Sequence, residues 1–214
     1  MPRIHPKKLL VEGREDMRVI PELAEAHGIS WGDKKDTAII YIKPTDGIEN
    51  LLDSDNIYNE INDSGLTHLG IIMDADEEPD NRWKSLYNAC LPNIPNLPQN
   101  LPAAGLIITL ESGIKFGVWM MPDNQSRGML ETFLAYLVPD NNLWQYTQNK
   151  VIEAKQQGAT YRDDHLDKAN IHTYLAWQDP PGKQLHDAVK QRILNQSHPQ
   201  SAKFLRWLQE LYEI

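Results

Sequence analysis

Three groups of carboxylates close three apolar runs. Leu9-Leu10-Val11 leads into Glu12-Gly13, with Asp16 four residues beyond Glu12. Leu69-Gly70-Ile71-Ile72-Met73 leads into Asp74-Ala75-Asp76-Glu77. Val118-Trp119-Met120-Met121 leads into Pro122-Asp123-Asn124, with Glu131 further on. Carboxylates fixed at the ends of buried strands are the hard oxygen donors that Mg²⁺ or Mn²⁺ takes, with coordination positions left for water and phosphate. Asp74 and Asp76 stand two residues apart, so an extended backbone puts both on one face. Asp16, on a first helical turn, folds back toward Glu12 across the Gly13 turn.

The elements that must hold these groups are readable from periodicity. Residues 7–12, 37–42 and 67–73 read as strands, and 16–27, 48–61, 82–91 and 129–137 as helices. Runs 105–111 and 114–121 flank Ser112-Gly113, which suits a tight hairpin. Strand–helix alternation followed by a hairpin predicts an α/β fold. Its central sheet is mostly parallel, with one antiparallel edge hairpin and helices on both faces. We divide the chain into an α/β domain over 7–138 and a helical extension over 139–214. Trp83, Trp177 and Trp207 fall in amphipathic stretches and are read as core.

Composition narrows the function. The 214 residues carry a net charge of −9, unlike a protein that coats nucleic acid by neutralising phosphate. A metal enzyme tolerates that charge, because its cations offset the local carboxylates. The single cysteine, Cys90, excludes an internal disulfide and a cysteine-based zinc site. No targeting peptide or membrane span is visible, so the expected location is the cytoplasm, with no membrane partner.

Taken singly, each cluster has a plainer explanation. An acidic residue before a helix is commonly a cap or a dipole partner. An isolated Asp-x-Asp is commonly a solvated turn, and Pro122-Asp123-Asn124 equally suits one. In a parallel α/β sheet, however, ligands bind beyond the carboxyl ends of the strands, and Glu12 and the Asp74/Asp76 pair are expected on that one edge.

Glu12-Gly13 after the first strand, with Asp74-Ala75-Asp76 after the third, resembles a Toprim domain. That is the metal-binding fold of topoisomerases, bacterial primases, RNase M5-type maturases and OLD-family nucleases. The Glu12 to Asp16 step resembles the OLD-like branch. The segments 121–131 and 177–182 are similar to a stand-alone, uncharacterised bacterial Toprim-related family. The resemblance implies Glu12 as general acid/base or metal ligand, and Asp74 and Asp76 as ligands of Mg²⁺ (or Mn²⁺). It implies Asp16 and Glu131 as a second metal site, and a DNA or RNA substrate. Asp123 is the least secure of the implied ligands.

A nuclease also needs a cation at the phosphate. Arg14, Lys43, Lys115, Arg127 and Lys168 are the candidates, and for any one of them a solvated surface charge is the plainer reading. Lys168 and Arg127 enter the candidate catalytic set with Glu12. The chain lacks the other domains of the multidomain relatives, including an ATP-binding Gly-x-x-x-x-Gly-Lys-Ser/Thr loop. Three functions therefore stand open: metal-dependent phosphodiester hydrolysis, a binding or regulatory module that acts with a protein partner such as a separate ATPase, and a phosphohydrolase using Asp74.

Overall fold

The computed structural model describes residues 5–32 and 37–214; residues 1–4, part of the stretch read for targeting signals, lie outside them. Five strands form one sheet: β1 (Lys7–Val11), β2 (Tyr41–Pro44), β3 (His68–Asp74), β4 (Leu106–Thr109) and β5 (Lys115–Met121). Their order is β2-β1-β3-β5-β4, parallel throughout except for the β4–β5 edge hairpin.

Alternation along the strands fills two cores. Leu9, Val11, Ile72, Trp119 and Met121 face one side, packed by α1 (Arg14–Ala26), α5 (Leu130–Tyr136), α7 (Leu166–Ala176), α8 (Leu185–Lys190) and α9 (Pro199–Tyr212). Leu10, Leu69, Ile71, Met73, Phe116, Val118 and Met120 face the other. There they meet α2 (Ile48–Leu51), α3 (Ser54–Ile61) and α4 (Pro79–Cys90). The remaining helix, α6 (Asn142–Gln156), packs on α7.

The segment 139–214 is helical, and it lies within the first core. Phe204, Trp207, Leu208, Leu211 and Tyr212 recur at helical spacing on the buried face of α9. The Trp207 indole N–H donates to the Leu106 carbonyl at 3.0 Å, and the Tyr212 hydroxyl donates to the Lys8 carbonyl. Two glycines opposite each other in the β3–β5 ladder, Gly70 and Gly117, let α9 approach. A Cβ on Gly70 would stand 2.5 Å from the Tyr212 hydroxyl, and one on Gly117 would stand 2.8 Å from a Leu211 methyl. Gly70→Ala is expected to cost about 1–3 kcal/mol by overpacking, read as a lower urea midpoint with unchanged slope.

The structure amends three sequence readings. Strand β2 begins at Tyr41 rather than Thr37, because the Ile39 N–H is bonded to the Trp31 carbonyl and pairing with β1 starts at Tyr41. The single helix expected over 48–61 is two, because Asp53 adopts an extended backbone and its side chain caps α3 at the Asn56 N–H, 2.8 Å away. Trp177 is exposed, set against Tyr146 at 5.6 Å between ring centroids, and is not core. Among the described residues no helix is long and apolar enough to cross a membrane.

Candidate active site

The chain leaves β1 through α1 toward β2 on one side, and leaves β3 through α4 toward β5 on the other. Connections therefore diverge at the carboxyl ends of β1 and β3, which is where an open α/β sheet forms a ligand crevice. Glu12 and Asp74 occupy those two ends. The Glu12 carboxylate accepts from the Asp74 backbone N–H at 2.8 Å, joining the strand ends across the crevice. Asp74 in turn accepts from the Leu130 N–H at 2.9 Å, at the first residue of α5. The Asp16 carboxylate reaches back over the first turn of α1 to the Gly13 N–H at 3.1 Å.

A cleft of about 380 Å³ opens over this point, lined by Glu12, Asp16, Asp46, Asp74, Glu131 and Lys168 among others. Glu131 is buried, and its carboxylate pairs with the Lys168 ammonium at 2.8 Å. Lys168 comes from α7, so the helical segment 139–214 contributes to the cleft directly.

The electrostatics record crowded negative charge. Burial raises the Asp74 carboxyl well above its ordinary value, and the charges of Asp16, Glu12, Glu131 and Asp76 raise it further. Asp16 is pushed up to about 7, first by burial and then by Glu12 and Glu131, against the bond from Gly13. Glu12 is raised by burial, partly offset by the Asp74 N–H and by Arg82. Burial works against the charge on Lys168, but its bond to Glu131 and the surrounding carboxylates outweigh it and leave the ammonium raised. As they stand, no three Asp, Glu, His or Cys side chains among the described residues form a ready ligand set for a metal ion.

A family model described as a protein of unknown function, DUF3226, matches residues 6–213. The chain belongs to the DUF3226 family. This DUF3226 protein shares its fold with a hypothetical protein, PH0156, from Pyrococcus horikoshii OT3 (TM-score 0.54, 15% identity, 97% of this chain and 95% of that one covered). It is also similar to C-terminal regions of OLD proteins. For that of Xanthomonas campestris pv. campestris the TM-score is 0.48 at 14% identity, covering 98% of this chain and 97% of the other. For that of Burkholderia pseudomallei it is 0.45 at 12%, covering 98% and 100%. No curated protein matches.

Of the residues singled out from sequence, Glu12, Arg14, Asp16, Asp74, Glu131 and Lys168 meet in the cleft of this DUF3226 protein. Asp76 is not among the residues that line it, and instead lines a neighbouring hollow with Glu78, Asn81 and Arg82. It has a left-handed backbone (φ 52°), pairs with Arg82, and is held in a β-bridge to Gly128. Asp123 lies apart, in a turn, where it accepts from the Gln125 and Ser126 N–H groups at 3.1 and 2.7 Å. Arg127 pairs with Glu77 at 3.0 Å on the exposed surface. Lys43 is held by buried Glu60, which also binds Lys8.

Two residues that act on the site escaped the sequence reading. Asp46 lines the cleft from the turn after β2, and its signal was the Pro44-Thr45-Asp46-Gly47 turn at the end of a strand. Arg82 offsets the acidic charge, and its signal was its place on the first turns of the helix after Asp76.

Proposed function

We propose that this cleft binds Mg²⁺ or Mn²⁺ and hydrolyses phosphodiester bonds in nucleic acid. One observation carries the reading. Carboxylates from four segments, Glu12 after β1, Asp16 on α1, Asp74 on β3 and Glu131 on α5, converge at the switch crevice, where burial first and their mutual repulsion second raise Asp74 and Asp16. The donor set is all hard oxygen, which fits those ions. The likeness of the Glu12-Gly13 and Asp74-Ala75-Asp76 motifs to Toprim enzymes points the same way.

A bound divalent ion would supply charge stabilisation at the phosphoryl oxygens. The chain's own groups do the rest. Glu12, oriented by the Asp74 N–H and raised by burial above an ordinary carboxyl, is the group placed to take up and release a proton. Asp74, Asp16 and Glu131 would hold the ion. With Glu131 engaged by an ion, the Lys168 ammonium in the same cleft would be free to pair with a phosphate. Lys168→Met is expected to lower turnover about 100-fold, the scale of losing one preorganised donor, while Mn²⁺ affinity holds or rises because Glu131 loses its competing partner.

A second reading is favoured by the absence of a ready ligand set among the described residues and by the Lys168–Glu131 pair. In it the site rearranges only with a protein partner. One experiment tests both: Mn²⁺ titration, beside cleavage of single- and double-stranded DNA and RNA with Mn²⁺ or with EDTA. Metal-dependent cleavage lost in Glu12→Gln supports hydrolysis. Mn²⁺ binding without cleavage supports the partner-dependent module. Cleavage that survives EDTA refutes the metal reading.

A further inference from the structure

A second cleft, about 660 Å³, lies between α4 and the loop 92–105, on the face of the sheet that α4 covers. Trp83 and Met120 contribute to its floor, both buried. The Trp83 indole N–H donates to the Gln99 carbonyl at 2.9 Å, which ties the loop to the helix and fixes the cleft's width. Half-buried Tyr87 stands beside the floor. The amides of Asn88, Gln99 and Gln125 line the rim and make no hydrogen bond among the described residues.

The lining is nearly neutral, its charges being one acid, Asp80, and one base, Lys84. An apolar floor, an aromatic ring at its side and a rim of free amides suit a flat ligand with apolar faces and a hydrogen-bonding edge. A nucleobase is such a ligand: bases stack on aromatic rings, and Asn and Gln meet their edges.

The cleft's place in the fold decides whose base it takes. Gln125 follows the carboxyl end of β5, and Pro79 of the lining follows Asp76 by three residues. Strands lie about 4.8 Å apart, so the end of β5 stands about 10 Å along the same edge from the end of β1 and Glu12. The Asp76–Gly128 bridge ties the loop after β3 to the loop after β5 between the two clefts. We propose that this cleft seats an unpaired base of a single-stranded nucleic acid whose backbone crosses the acidic site. The proposal rests on the hydrolytic reading above and narrows its substrate to strands with an unstacked base.

The test uses the full chain with Ca²⁺ and two fluorescein-labelled probes of equal length, an oligothymidylate and an abasic oligomer of the same sugar–phosphate backbone. Oligothymidylate is expected to bind about tenfold more tightly, the scale of one base stacked on one ring. Tyr87→Leu, which keeps apolar bulk beside the core, should remove that preference. So should the double change Asn88→Ala with Gln99→Ala, at exposed positions. Neither should alter Mn²⁺ titration at the acidic cleft. Equal affinity for the two probes, binding of neither, or a preference that survives both variants overturns the proposal. The Mn²⁺ titration separates the failures: intact metal binding with no base preference sinks the base cleft alone, and a base preference without metal binding sinks the hydrolytic reading alone.

Discussion

Asp74→Asn is expected to abolish divalent-ion-dependent cleavage, by about 1,000-fold or more, on the scale of removing a principal electrostatic element of an active site. It is expected to do so without unfolding the protein. The amide keeps an oxygen for the Leu130 N–H, and the Asp74 N–H that orients Glu12 is backbone and unchanged. What disappears is one negative charge from the centre of the cluster, the one on which Asp16, Glu12, Glu131 and Asp76 all act. Relief of the cost of burying that charge, and of the repulsion around it, should make Asp74→Asn more heat-stable than the parent in EDTA. Loss of activity with a gain in metal-free stability is a combination that a simple structural role for Asp74 does not produce. A variant that kept cleavage, or that lost it by unfolding, would count against the assignment.

The strand ends were legible in the sequence because the strands are buried on both faces. Leu9 to Val11 and Ile71 to Met73 are near-continuous apolar runs, and the first charged residue after each marks the point where the chain emerges. Glu12 and Asp74 were found that way, and the sheet's parallel order put them side by side. Asp16 followed from the same logic, since it faces back along the first turn of α1 to Gly13. Lys168 was a weaker inference. Its sequence neighbours give no sign that α7 lies over α5, a contact set by tertiary packing between segments that local patterning does not relate. Helix α9 was obscured similarly. Its apolar stripe is visible, but its seat on Gly70 and Gly117 needs the β3–β5 register, and no local pattern encodes that register. Asp123 shows the converse: a strand end followed by an acid that lies apart from the cleft and accepts hydrogen bonds within its own turn.

In EDTA, stability should fall as pH rises from 5 to 8, and saturating Mn²⁺ should remove the fall. The Asp16 carboxyl sits at about 7 in the folded protein against an ordinary 3.8. Between those values the folded chain keeps a proton that the unfolded chain has released, so unfolding becomes easier as pH rises through the window. At about 1.4 kcal/mol per tenfold, the full interval corresponds to about 4 kcal/mol, an upper figure because the carboxylates share their protons. Asp74 and Glu12, both raised, act in the same direction. The lowered acids Glu60, Asp63 and Glu213 have lost their unfolded-state protons by about pH 5, so they add a constant across the range. His68 opposes the trend. Burial, then Lys7, lowers it from 6.5, so its contribution to stability grows as pH rises toward 6.5 and is constant above it, and a His68→Gln background removes it. Mn²⁺ binds only the deprotonated carboxylates, so its affinity rises with pH as the protons leave. At a hundredfold excess over Kd it returns about 2.7 kcal/mol to the folded state. Urea unfolding at pH 5, 6, 7 and 8, with EDTA and with Mn²⁺, reads both curves. Asp16→Asn should make the EDTA curve shallower and weaken the Mn²⁺ response together, because that carboxylate contributes to both. A metal-free protein as stable at pH 8 as at pH 5 would mean that the carboxylates do not crowd one another at the crevice, and the case for a cation there would fall with it.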